Sequence, residues 1–206
     1  NKPNKEILKE TNSIKENILI IGGSSGIGND LLKLFLNNKK IKIISTYYKN
    51  KITENKANLI VKKLNIETDL MTIYKIIKKF EPIIIYYFPT PKIFFNSIND
   101  KNLIELYKKY FIHIPIKIIK YASNFQSKFF YPSTTYNNTL SPYSLIKLKA
   151  ENEINKLRKL NTKINILKIS GVNTKQNLSL ISKKLPNFRD LISGDKKILN
   201  KVFFKN

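Results

Sequence analysis

Short apolar runs alternate along this chain with longer stretches of helical periodicity, and that order leaves few folds open. The runs lie at residues 18–22, 41–46, 58–62, 82–88, 127–131 and 164–169, and the helical patterns at 26–37, 69–80, 100–123 and 143–160. Rich in Ile and Tyr and apolar on both faces, the runs suit strands covered by helices on each side. Such alternation predicts an α/β fold, a Rossmann-like, doubly wound parallel sheet with its ligand at the carboxyl ends of the strands. At 206 residues the chain suits a single domain, expected over 18–206. The polar opening, residues 1–17, reads as a linker or disordered N-terminal segment.

Lys and Arg total 38 against 14 Asp and Glu, a formal net charge of +24. All but Arg158 and Arg189 of those cations are lysine, and Lys, Ile and Asn together fill 96 positions. These three residues share A/T-rich codons, so the charge reads as a solvated surface of mutational origin. The lysines are scattered and lack the Arg clusters and interleaved aromatics of a nucleic-acid groove. Nucleic acid is therefore not the expected partner, although the charge favours an anionic ligand at long range. With no cysteine, disulfides and thiolate chemistry are excluded, and no metal site is expected. The longest apolar runs, such as "PIIIYYF", are too short to span a bilayer, and no secretory signal stands at the front. A cytoplasmic protein without a membrane partner is the expectation. The chain begins with Asn rather than Met, which suits a processed product or a piece of a longer polypeptide.

The stretch "ILIIGGSSGIGNDLLKLF", residues 18–35, joins a strand to an amphipathic helix through Gly22, Gly26 and Gly28. Gly22 permits a tight turn, Gly26 lets backbone approach a pyrophosphate, and Gly28 allows the helix to pack closely on the sheet. The first N–H groups of that helix then point at the phosphates, with the hydroxyls of Ser24 and Ser25 as further donors. About a hundred residues on, "LSPYSLIKLKAENEINKL" places Tyr143 and Lys147 four apart on a helix, on one face. A free phenol has a pKa near 10, too high to exchange protons near neutrality, and a neighbouring ammonium lowers it. Tyr143 can then protonate a carbonyl oxygen as hydride arrives, or deprotonate an alcohol in reverse.

The glycine spacing resembles the cofactor loop of the short-chain dehydrogenase/reductase family, T-G-x-x-x-G-[IL]-G, with Ile21 in place of the Thr and Ile27 between the last two glycines. Tyr143-x-x-x-Lys147 resembles that family's second signature. The resemblance covers about 18–174 and implies a hydride transfer between a nicotinamide cofactor and a small carbonyl or alcohol substrate. It implies Tyr143 as acid/base, Lys147 as its tuner and as clamp on the nicotinamide ribose, and a Ser or Thr at the end of the preceding strand. "KFFYPSTTYNN" offers Ser133 first and Thr134 second for that role. The loop after the second strand lacks the acid of NAD-preferring members and holds Lys49 and Lys51, so NADP(H) is the expected cofactor and NAD(H) the alternative. Asn65 stands where the family often has an Asp beside the adenine, and Thr174 matches the segment that closes over the nicotinamide.

The chain also departs from the family. Its N-N-A-G segment is replaced by "YYFPTPKIF", and the helix that often supplies a catalytic Asn reads "LYKKYFIHIPIKIIK". The lysine–water–asparagine proton relay of the family therefore lacks its usual Asn. His113, the single histidine, reads as structural, and Pro115 implies a kink or break in that helix. Little chain follows Thr174, so the substrate lid and last strand are expected to be small or missing. "FPTPKIF" and "NTKQN" resemble reductase-like proteins of bacterial polyketide assembly lines, which implies a ketoreductase acting on a carrier-bound substrate within a larger multienzyme. A homodimer through the two long helices is the family's usual alternative. Rival readings are an epimerase or dehydratase of the same superfamily and a cofactor-binding scaffold without turnover.

Overall fold

Alternate residues of the central strands face two separate apolar cores, and this two-sidedness sets the architecture of the chain. The computed structural model describes residues 5–14, 16–94, 100–135, 141–160, 162–170 and 186–205. Six strands, β1 (Ile18–Ile21), β2 (Ile43–Tyr47), β3 (Leu59–Lys63), β4 (Ile84–Tyr87), β5 (Lys128–Thr134) and β6 (Ile164–Ile169), form one sheet. All pairs are parallel and the order is β3-β2-β1-β4-β5-β6. Leu19, Ile21, Ile85, Tyr87, Phe129 and Tyr131 face a core shared with α3 (Leu70–Phe80), α4 (Lys101–Lys108), α5 (Ile114–Ala122) and α6 (Pro142–Asn155). Ile18, Ile20, Ile84, Tyr86 and Phe130 face the other, covered by α1 (Lys5–Ser13), α2 (Gly26–Phe35), α7 (Phe188–Gly194) and α8 (Lys196–Phe203). Chain order reverses between β1 and β4, the switch point at whose carboxyl edge such folds hold ligands.

The opening segment is not the expected linker from residue 5 onward. Residues 5–13 form α1, whose Ile7, Glu10 and Thr11, with Ile14 just beyond, are buried at helical spacing. The buried Glu10 carboxylate pairs with Lys205. Asn38 caps the end of α1, its Nδ2 donating to the carbonyls of Thr11 at 2.6 Å and Ile14 at 2.9 Å. Strand β5 runs to Thr134, past the expected end at 131. Beyond Phe130 it pairs with β6 alone, so the missing N–H of Pro132 costs no ladder bond on the β4 side. This overhang carries Ser133 and Thr134 out to the carboxyl edge.

The expected helix over 100–123 is interrupted by a π-helical turn, Lys109–His113, just ahead of Pro115. The Ile114 N–H reaches back to the Lys109 carbonyl, and Pro115 has no N–H to offer Phe111. The freed carbonyls of Tyr110 and Phe111 accept instead from the buried hydroxyls of Tyr87, at 2.7 Å, and Tyr131, at 3.1 Å. The break expected from Pro115 is thus a bulge closed by two tyrosines of the sheet. Among the described residues no helix is long and apolar enough to cross a membrane.

Candidate active site

Strand β1 ends in a turn that only small residues can make. Gly22 and Gly26 both have positive φ, +81° and +52°, a region costly for residues bearing a Cβ. The turn is tied to β2, since the N–H of Gly22 donates to Thr46 Oγ1 at 3.1 Å and that of Gly23 to the Thr46 carbonyl at 2.9 Å. A Cβ on Gly28 would stand 2.2 Å from the Gly22 carbonyl oxygen, so α2 crosses the turn at backbone contact. Gly23 is as constrained as the three spaced glycines: its Cβ would meet Ser45 Oγ at 2.0 Å. Sequence reasoning missed it, although the Gly-Gly doublet at a strand end was the available signal. Ser25 is the N-cap of α2 and its side chain makes no capping bond. Ser24 is half-buried, Ser25 is exposed, and Ile27 packs against the α2-side core.

Lys147 and Tyr143 lie one turn apart on α6, behind the overhang of β5. Tyr143 is hydrogen-bonded to Thr134 and wedged edge-on against the rings of Tyr107 and Phe111. Burial pushes its phenol up to about 12, with the Thr134 hydrogen bond pulling the other way. Ser133, the first choice from the sequence, faces elsewhere: its Oγ donates to Glu151 Oε1 at 2.5 Å. Ser133 shares the strand face of Phe129 and Tyr131, which is the face packed by α6 and therefore by Glu151. The second Glu151 oxygen pairs with Lys168 at 3.2 Å, directly across the β5–β6 register from Ser133. The hydroxyl brought to Tyr143 is that of Thr134.

Lys147 is 5% exposed, its ammonium turned inward. It donates to the Pro132 carbonyl at 2.8 Å and to Tyr131 Oη at 3.4 Å, and lies 4.2 Å and 4.6 Å from the ring centres of Phe111 and Tyr131. Burial pulls its pKa down to about 7, opposed by the negative charge of Glu151 one turn on. An amine poised near neutrality, beside the Tyr131 phenol, can carry or release a proton at low cost.

The other candidates are spread around the same edge. Lys49 and Lys51 are exposed after β2, with Lys49 Nζ 5.8 Å from the Tyr48 ring centre. Asn65 organises the turn after β3, its Oδ1 accepting from the Glu67 N–H and its own N–H donating to Asp69 Oδ2. Glu67 accepts in turn from Tyr110 Oη at 2.7 Å and Lys109 Nζ at 3.1 Å, and these bonds, Tyr110 first, hold its carboxyl below the usual range. His113 is exposed. Thr174 lies outside the described residues. In place of the N-N-A-G segment, Phe88 presses its ring on Gly28 and its backbone, with that of Pro89, on Gly22. Among the described residues no group of three or more metal-ligating side chains stands together.

The turn is compatible with a dinucleotide pyrophosphate, since the first N–H groups of α2 meet no side-chain cap. No family model matches this chain, and no curated protein does. Solved structures do. A short chain dehydrogenase family protein from Francisella tularensis is 21% identical, covering 81% of this chain and 74% of its own, with a TM-score of 0.68. A short chain dehydrogenase from Leptospira borgpetersenii with bound NAD+ reaches 0.72 at 13% identity, covering 92% of this chain and 85% of its own. UDP-glucose 4-epimerase from Thermotoga maritima is 18% identical with a TM-score of 0.62, covering 74% of this chain. This chain spans 54% of the epimerase. The fold is that of the short-chain dehydrogenases.

Proposed function

We propose that this protein is a nicotinamide-dependent oxidoreductase interconverting a carbonyl and an alcohol. The observation that carries this reading is the Tyr143–Thr134 hydrogen bond with Lys147 one helical turn away, on the sheet edge where the glycine turn opens. The cofactor, when bound, supplies or accepts the hydride. The α2 N–H groups and the glycine turn hold its pyrophosphate, and Lys147 its ribose. Tyr143 delivers a proton to the substrate oxygen while Thr134 donates a second hydrogen bond to that atom. A phenol held near 12 needs a cation beside it to exchange protons at neutral pH, and Lys147 is the one four residues along α6.

Lys49 and Lys51 favour a 2′-phosphate, hence NADP(H) over NAD(H). The excess of positive charge favours an anionic substrate, and a ketoacyl group on an acidic carrier satisfies both this and the FPTP resemblance. The test is a decline in NADPH absorbance against a panel of aldehydes, ketones and β-ketoacyl thioesters, with Tyr143→Phe in parallel. A carbonyl reduced by the wild type and left untouched by the variant supports the assignment. A variant with full activity overturns the role of Tyr143.

A further inference from the structure

We infer that Tyr131 is a positioning residue for Lys147, its hydroxyl anchored on the Phe111 carbonyl that Pro115 leaves free and its oxygen turned to the ammonium. The inference rests on the reading above in which Lys147 serves Tyr143. Three elements meet in it: the proline that opens α5, the carbonyl of the π-helical turn, and a tyrosine in the middle of β5. The Tyr131 side chain is fully buried and stacked on Tyr87, ring centres 6.4 Å apart. A phenol has one proton, and here it is committed to Phe111 at 3.1 Å. Toward Lys147, at 3.4 Å, the same oxygen can therefore only accept. Donation to a carbonyl also polarises the hydroxyl and makes its oxygen the better acceptor. Together with the Pro132 carbonyl and the Phe111 and Tyr131 rings, this fixes where the ammonium rests. Tyr87 makes the matching bond to Tyr110 without a bond to Lys147, so the π-helical turn supplies its own control.

The titratable groups around this corner are Tyr143 and Glu151 on α6, Tyr131 on β5, Tyr87 on β4, Tyr107 and Tyr110 beside the π-helical turn, and Lys168 across Glu151. The test follows the Lys147 side chain by NMR titration of protein labelled with [13C]lysine, the resonance assigned by its loss in Lys147→Met. Removing the acceptor in Tyr131→Phe destabilises the ammonium, so the titration midpoint should fall by about half a unit to one unit. Tyr87→Phe, which frees an equally buried carbonyl, should leave the midpoint in place. If Tyr131→Phe does not fold, Pro115→Ala gives Phe111 a competing N–H, releases Tyr131, and should lower the midpoint in the same direction. A midpoint equal to wild type in the folded variant overturns the inference, as does an equal fall in Tyr87→Phe. No nucleotide or substrate enters the measurement. A fall in a protein that binds neither NADPH nor NADH would leave the positioning standing and remove the oxidoreductase reading; an unmoved midpoint in an active enzyme would do the reverse.

Discussion

Ser133 Oγ donates to Glu151 Oε1 at 2.5 Å, while the next residue, Thr134, hydrogen-bonds Tyr143. Two adjacent hydroxyls at the end of β5 thus serve different residues of the same helix, Glu151 and Tyr143 of α6. Thr134→Ala should lower turnover by about 10²-fold with little change in stability. Ser133→Ala should leave turnover nearly intact and cost about 1–3 kcal/mol, since the buried Glu151 carboxylate loses a donor. Urea denaturation beside steady-state rates separates the two. The opposite pattern would return Ser133 to the reacting centre.

Gly23→Ala should destabilise the protein by about 1–3 kcal/mol, because the new methyl meets Ser45 Oγ. Ser45→Ala alone should be close to neutral, as it removes a buried hydroxyl without a partner among the described residues. The double variant should recover much of the loss, since the Ser45 Cβ stands 3.4 Å from the new atom. Additive losses in a thermal-melt cycle would contradict this packing.

Burial holds Lys147 at about 7 in the folded protein, against an ordinary value of 10.5 that unfolding restores. Between those values the unfolded chain binds one more proton, so stability should rise with pH from about 7 toward 10. Above 10 the trend should turn, because Tyr143 keeps its proton to about 12 in the folded state and the unfolded phenol gives it up. Lys147→Met should flatten the rise between 7 and 10. Denaturation midpoints across that window check it, and equal slopes in both proteins would mean that Lys147 is not the group responsible.

Replacing Lys49 and Lys51 together by Gln should weaken NADPH about ten-fold and leave NADH unchanged. Each is an exposed cation with a modest screened attraction for a 2′-phosphate. Equal loss for both nucleotides would place the phosphate elsewhere.

Much of this architecture was legible in the order of residues. All six strands and four of the helical patterns fall within a few positions of their expected places, because apolar runs and 3.6-residue periods are local signals. Helix α1 was not legible: its buried face includes Glu10 and Thr11, and what makes burial tolerable, Lys205 and Asn38, lies far off in sequence. Helices α7 and α8 close the same core through Phe188, Ile192, Leu199 and Val202, in short segments without a long period. At the site, the Tyr143–Lys147 spacing could be read directly. The choice of Thr134 over Ser133 depends on where β5 outruns β4 and on which residue of α6 each hydroxyl meets, a tertiary fact. Pro115 signalled an irregular helix, but not the tyrosines that complete it.

The most direct measurement is a fluorescence titration of the wild-type protein with NADPH and with NADH, repeated on Gly26→Trp. Saturable binding by the wild type is expected, tighter for NADPH, and none by a variant whose side chain blocks the turn at a positive φ. If the folded wild type binds neither nucleotide, the glycine turn is a packing device alone, the oxidoreductase reading falls, and a scaffold on this fold takes its place.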